Sequence, residues 1–303
     1  AGEAVADLIA ARHDADPAVD VDRRLASFWY KSSLRPEGWE LPAQWDAVAG
    51  DYAAKDGWIR LHTNAPHHRK AALTALGITD SKETERADVA AAVAAWNTAE
   101  LEEAVLAAGG CAGELRSSAA WAAHPQGKAL AKEPLLYHES FSGPSPANWE
   151  VNRARPLDNI RVLDLTRVLA GPTATRFLGG YGADVLRIDP PADLWVEALA
   201  EEMTLGKRSA ILDLRKDADR ERLKELIAEA DVMVHGYRGD ALEGLGLGAS
   251  VRRSLNPGLV DVALCAYGWT GPWAGRRGFD SIVQMSSGIA ETGMRHYGKD
   301  KPT

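Results

Sequence analysis

Charge beside glycine and at helix starts is the most chemically suggestive feature of this chain. Lys207 and Arg208 stand just before an apolar run, in Leu205-Gly206-Lys207-Arg208-Ser209. Two cations so placed suit a phosphate clamp through charge-assisted hydrogen bonds, and they suit a solvated loop equally. Arg276 and Arg277 lie in the Gly-rich stretch 268–278 with Trp269 and Trp273. Indole rings there suit stacking on a planar ligand or ordinary core and interface packing. The turn Thr166-Arg167-Val168-Leu169-Ala170-Gly171-Pro172 leads into a helix, whose first N–H groups favour a phosphate or another anion. It is not G-x-G-x-x-G, so a nicotinamide oxidoreductase loses its main support. Asp189 ends a strand, where ribose-binding acids occur, but it lacks that glycine fingerprint.

Other chemistries are weakly encoded. The eight histidines show no metal-ligand spacing, so no metal site is expected. His67 and His68 are adjacent and point apart on a helix. Cys111 and Cys265 form no C-x-x-C pair and read as small buried apolar residues in a reducing cytoplasm. No G-x-S-x-G elbow occurs, which removes the usual sign of a serine hydrolase.

The elements that must hold these residues alternate in the second half. Strand patterns run over 160–165, 183–188, 209–214, 231–234 and 259–264, with helices over 173–178 and 217–230 between them. Alternating strands and helices imply a parallel sheet covered by helices. Ligands in such sheets sit beyond the carboxyl ends of the strands. The loops to watch are therefore 166–171, 189–191, 235–239 and 266–278. The first half differs, with helical patterns at 1–13, 66–76 and 86–108 and a strand at 58–62. The expected fold is α/β: a smaller α+β domain over 1–138, a linker over 139–157 rich in turn formers, and a Rossmann-like half-domain over 158–303.

Composition bounds the function. The 303 residues are 46% hydrophobic and 26% charged, ordinary for a soluble globular protein of about two domains. No apolar run reaches membrane-spanning length, so no membrane partner is expected. The net charge is −8, and residues 151–303 balance at 21 cations and 21 anions, so the excess lies in residues 1–150. A nucleic-acid binder needs a basic face, and this distribution argues against one.

The second half resembles the class III CoA-transferase family (CaiB/BaiF, the L-carnitine dehydratase and bile-acid-inducible family). The resemblance rests on 162–172 (Val-Leu-Asp-Leu-Thr-Arg-Val-Leu-Ala-Gly-Pro), 182–189, Lys207-Arg208-Ser209 with Leu212-Asp213-Leu214, and 230–234. Asn256-Pro257, Tyr267-Gly268, Gly271-Pro272, Gly278-Phe279-Asp280, Gln284 and Ser287-Gly288 follow in order. Residues 45–135 resemble the family's later portion, through 56–59, 102–112 and His124-Pro125-Gln126. A small domain ahead of the nucleotide-fold half suggests a piece of a tandem or fused member.

The resemblance implies transfer of CoA between carboxylic acids through an aspartyl-CoA intermediate. CoA or acyl-CoA is then the substrate, and no cofactor is permanently bound. It assigns Leu169 and Ala170 to the thioester region and Lys207, Arg208 and Arg277 to the CoA phosphates. Tyr237 belongs to the CoA-binding set, although His235-Gly236-Tyr237-Arg238 replaces the common Glu-Asn-Phe-Arg and Gly244 replaces a common Arg. No catalytic residue is expected within 1–303; the nucleophilic Asp is expected beyond Thr303, so this piece alone should be inactive. Asp280, Glu291 and Asp300 are the nearby acids, read as structural or solvated. Phe279 stands where racemase members carry His and cannot carry a proton, which disfavours an acyl-CoA racemase. A non-catalytic CoA-binding or assembly module is the other alternative. The family implies an interlocked homodimer or a complementary chain.

Overall fold

A computed structural model describes residues 1–28, 34–141, 143, 149–191, 199–239 and 241–303. The chain divides into two compact units, each built from two separate stretches: Ala43–Glu139 with Cys265–Thr303, and Ala1–Pro42 with Ser140–Leu264.

The smaller unit carries β1 (Gly50–Ala53), β2 (Trp58–Leu61) and β3 (Ala112–Glu114), antiparallel in that order. Tyr52, Ile59 and Leu61 face the helices Pro66–Ala75, Arg86–Val93 and Thr98–Ala107, and join Leu73, Val89, Val93, Leu101 and Val105 in one core. The helical pattern expected over 86–108 is two helices, broken between Val93 and Thr98.

Residues from 265 onward pack in this unit. The helix Asp280–Ser287 crosses β3 so closely that a Cβ on Gly113 would sit 2.9 Å from the Ile282 methyl. Arg116 N–H donates to the Met285 carbonyl at 2.9 Å. The fully buried Gln126 holds the loop before that helix. Its Nε2 donates to the Tyr267 and Thr270 carbonyls, and its Oε1 accepts from Trp273 N–H. The Glu133 carboxylate accepts the N–H groups of Trp269 and Thr270. The expected boundaries therefore need correction. Residues 265–303 are held by buried hydrogen bonds to the small unit, and 1–42 group with the parallel sheet. Of the expected linker, 139–157, residues 142 and 144–148 lie outside the described residues.

The second unit contains β4 (Arg161–Leu165), β5 (Asp184–Asp189), β6 (Arg208–Ile211), β7 (Val232–His235) and β8 (Val260–Ala263). All pair in parallel, in the order β6-β5-β4-β7-β8. Side chains alternate across the sheet, as strands require. Leu163, Leu165 and Met233 pack with Leu223 and Ile227 of the helix Asp217–Glu229, whereas Val162, Val185 and Val234 form a separate cluster with Leu178. Leu178 belongs to the helix Ala170–Gly180. This is the expected Rossmann-like arrangement of a parallel sheet with helices.

Candidate ligand site at the carboxyl ends of the parallel strands

Strand order locates the site. From β4 the chain runs to β5 and β6 on one side, then returns to place β7 and β8 on the other. The switch point thus lies between β4 and β7, and open α/β sheets bind ligands beyond the carboxyl ends of strands at such a point. Leu165 and His235 are Cα partners at those ends. Two residues on from each, Arg167 and Tyr237 meet: the guanidinium donates to the phenol oxygen at 3.3 Å and lies 5.9 Å from the ring centroid. Cation–π contacts of exposed groups contribute about 0.5–1 kcal/mol, so the pair is only lightly tied.

The turn from β4 into its helix is built on Asp164, which is wholly buried. Its carboxylate accepts from Thr166 N–H at 2.9 Å, from the Thr166 hydroxyl, from Thr175 Oγ1 at 2.6 Å and from Lys207 Nζ at 2.8 Å. The backbone is forced through unusual angles, with Val168 at φ 67. A β-branched residue there is strained, a condition that clusters at ligand sites. Gly171 is required because any Cβ would overlap the Thr166 side chain. The result is an eleven-residue helix, Ala170–Gly180, with no side-chain cap, beginning at the exposed Leu169 and Ala170. Helix starts leave N–H groups without intrahelical partners, and Pro172 has none to offer, so these groups belong to the exposed Ala170 and the buried Gly171.

The expected CoA-binding residues divide. Leu169, Ala170 and Tyr237 come to the β4 and β7 ends. Lys207 does not present its charge to a ligand. Its side chain is 0% exposed, and its ammonium contacts Asp164, the Pro172 carbonyl at 2.8 Å and Thr175 at 2.7 Å. Burial lowers its pKa, while Asp164 opposes the shift. Its expected phosphate contact is therefore corrected to a core ion pair that holds the turn. Arg208 is exposed and bidentate to Asp184, but both residues begin their strands. That is the amino edge of the sheet, opposite to the Leu169 end. Arg277 belongs to the small unit, where it donates to the Gly109 carbonyl at 2.9 Å.

Other residues singled out by sequence are also engaged. Asp189 is buried against Arg187 at 2.8 Å; burial raises its pKa and Arg187 opposes that. In the small unit, Arg276 lies 3.7 Å and Arg116 5.1 Å from the Trp273 ring. Both arginines pair with the buried Glu102. Trp273 is thus enclosed by an ion-pair network, whereas Trp269 is exposed. Phe279 stacks on the His62 ring at 3.9 Å. Among the described residues, no group of three or more His, Cys, Asp or Glu could hold a metal ion, and no helix is long and apolar enough to cross a membrane.

Sequence reasoning marked the loops 166–171 and 235–239 but did not single out Arg167 or His235 within them. His235 is 6% exposed, with Nε2 3.4 Å from Arg252 Nη2 and 3.6 Å from Asp261. Burial first, then Arg252, lowers its pKa to about 4. A readable signal existed for Arg167 and Tyr237: each lies two residues beyond the end of an apolar strand run.

The CoA-transferase family III model matches residues 157–302. The acetyl-coenzyme A transferase nodX of Hypoxylon pulicicidum is 34% identical over 163 residues, 52% of this chain and 28% of that protein. An acyl-CoA transferase of Gibberella moniliformis is 28% identical over 258 residues, 80% of this chain and 45% of that protein. A span that long cannot fit within 157–303, so it includes part of the first half. A solved CAIB/BAIF family protein from Brucella suis is 33% identical, covering 46% of this chain and 40% of that chain, with a TM-score of 0.41. The chain spans less than half the length of these curated relatives.

Proposed function

Residues 157–302 are a CoA-transferase family III segment, and from that premise we propose that the protein carrying this chain moves CoA between carboxylic acids. The CoA thioester would lie beyond β4 and β7. Leu169 and Ala170 would line its thioester arm, with the N–H groups of Ala170 and Gly171 facing developing negative charge. Tyr237 offers a ring face, and Arg167 a cation, to the nucleotide end. The single observation behind this reading is the meeting of Arg167 and Tyr237 at the switch point, beside an uncapped helix start.

The proposed route is covalent. A carboxylate attacks the thioester carbonyl and expels CoA thiolate, leaving an acyl anhydride. The thiolate then attacks the enzyme's carbonyl of that anhydride, releasing the first acid and leaving an aspartyl-CoA thioester. The acceptor carboxylate attacks this thioester and expels the thiolate again. The thiolate finally takes the acceptor acyl group and frees the Asp. An acyl adduct reactive enough to be attacked in turn makes a carboxylate a workable nucleophile. Asp280 accepts a hydrogen bond from Gln284 at 2.7 Å, and Glu291 pairs with Arg295 at 2.6 Å. We propose that neither of these two acids is the nucleophile. A second copy or a complementary chain would complete the enzyme, and the cytoplasm, where CoA thioesters are handled, is the proposed compartment.

Calorimetric titration with CoA tests the reading. Arg167→Ala and Tyr237→Ala should each weaken binding by about tenfold, equal to about 1.4 kcal/mol. Absence of CoA binding by the unaltered chain, or binding indifferent to both substitutions, would reject the site.

A further inference from the structure

We infer that the ring of His235 is a ligand-reading hydrogen-bond donor at the β4–β7 switch point, fixed in one tautomer by Arg252. The inference rests on the reading above that a CoA thioester occupies this place, and it adds a specificity-determining residue to it.

Hydrogen-bond chemistry fixes the protons on the ring. Nε2 lies 3.4 Å from Arg252 Nη2, and a guanidinium has five donors and no acceptor. Nε2 must therefore be the side of the ring without a proton. Asp261 cannot reverse this. Arg252 takes only its Oδ2, from Nε at 2.8 Å and Nη2 at 2.6 Å, and the other oxygen, Oδ1, lies 3.6 Å from Nε2, beyond hydrogen-bond distance and farther than the Arg252 donor. Arg252 is held on its far side by the Leu247 carbonyl at 2.6 Å. The Arg252–Asp261 pair is thus a rigid clamp on one edge of the imidazole.

A neutral ring with a bare Nε2 carries its proton on Nδ1. His235 Nδ1 is buried and has no hydrogen-bond partner among the described residues. Leaving a buried donor unpaired costs about 1–3 kcal/mol, so such a group calls for an acceptor that the protein does not supply. Its position says where that acceptor would come from. His235 is the last residue of β7, is paired with Leu165 at the end of β4, and has its ring 6.5 Å from that of Tyr237. The donor therefore belongs to the same strand-end cluster as Arg167 and Tyr237. The acceptor it suits is neutral or anionic: a base ring nitrogen, or a ribose or phosphate oxygen, of the nucleotide end of the CoA thioester. A carboxylate side chain at 235 would offer only acceptors.

Two near-isosteric substitutions separate a ligand role from a structural one. Asn places an N–H donor near the position of Nδ1 and loses the contact to Arg252. Gln keeps an acceptor near Nε2 for Arg252 and loses the Nδ1 donor. His235→Asn should hold CoA affinity within about threefold, whereas His235→Gln should lose about three- to tenfold, the range of one neutral hydrogen bond. The reverse ranking would show that the ring serves only the Arg252 clamp, and would overturn the inference. Long-range ¹H–¹⁵N spectra of histidine-labelled protein give an independent readout. The Nδ1–H tautomer is expected in the free chain, with the Nδ1 proton moving downfield on addition of CoA. An Nε2–H tautomer, or an Nδ1 signal unmoved while calorimetry shows saturation, would overturn the inference and leave the CoA reading standing. No heat with CoA at all would instead remove the reading on which it rests.

Discussion

Lys207 shows how a single side chain can be read with the right charge and the wrong neighbours. Its spacing after Gly206 suits a clamp, yet its ammonium is enclosed by Asp164, Thr175 and the Pro172 carbonyl. Sequence cannot tell which of two adjacent cations enters the core, because successive residues at a strand start point to opposite faces. Arg208 is the one that remains outside. Removing one partner of a buried ion pair strands the other and costs about 3–5 kcal/mol. Lys207→Ala should therefore lower unfolding stability by about that much in a urea titration, while Arg208→Ala should change it by less than about 1 kcal/mol, as expected of an exposed pair. Equal effects would contradict the assignment. Strand ends alone marked the loops that hold Leu169, Ala170 and Tyr237, while their assignment to CoA came from the family resemblance. The importance of His235 was not legible, since it depends on Arg252 and Asp261, which only the fold brings beside it.

At the level of elements, the turn between β4 and the helix Ala170–Gly180 is where local sequence and site coincide. Asp164 anchors it, Val168 bears the strained angle, and Gly171 lets the helix start pass against Thr166. Gly171→Ala should destabilise the protein by about 1–3 kcal/mol, because the added methyl must displace the packed Thr166 side chain, and should weaken CoA binding with it. An unchanged melting temperature would mean that the turn relaxes freely. Strand positions were read to within a few residues, since β4, β5 and β7 are bounded apolar runs whose pattern records burial directly, whereas β8 carries a similar run with all four residues exposed. The helix pattern over 86–108 was read as continuous. Alanine gives weak periodic contrast there, and the break before Thr98 is marked only by Trp96 and Asn97.

For the whole molecule, the division into units was the least legible feature. Sequence reasoning named neither the helix 280–287 nor its partner β3, which lies more than a hundred residues earlier. Gln126 is the clearest trace of that long-range joining, with three hydrogen bonds into the loop 267–273. Acid should loosen the small unit. In it, burial lowers the pKa of His62 to about 4 and of His68 to about 3, with neighbouring cations adding to the effect. The unfolded chain takes up protons near pH 6.5 and the folded unit does not. These groups therefore leave stability intact above that pH, and it falls as pH drops from about 6.5 toward 4. The expected slope is at most about 1.4 kcal/mol per pH unit for each histidine. Urea unfolding of the small unit, followed between pH 7 and 5, should show the loss, and His62→Gln should flatten it.

The central claim is that the nucleotide end of CoA is taken up where β4 and β7 end. A crystal structure of the chain with CoA tests it most directly. The account predicts density over the Tyr237 ring, within reach of Arg167 and running toward Leu169 and Ala170. Density bound instead at the amino edge beside Arg208, with the ends of β4 and β7 left bare, would contradict it.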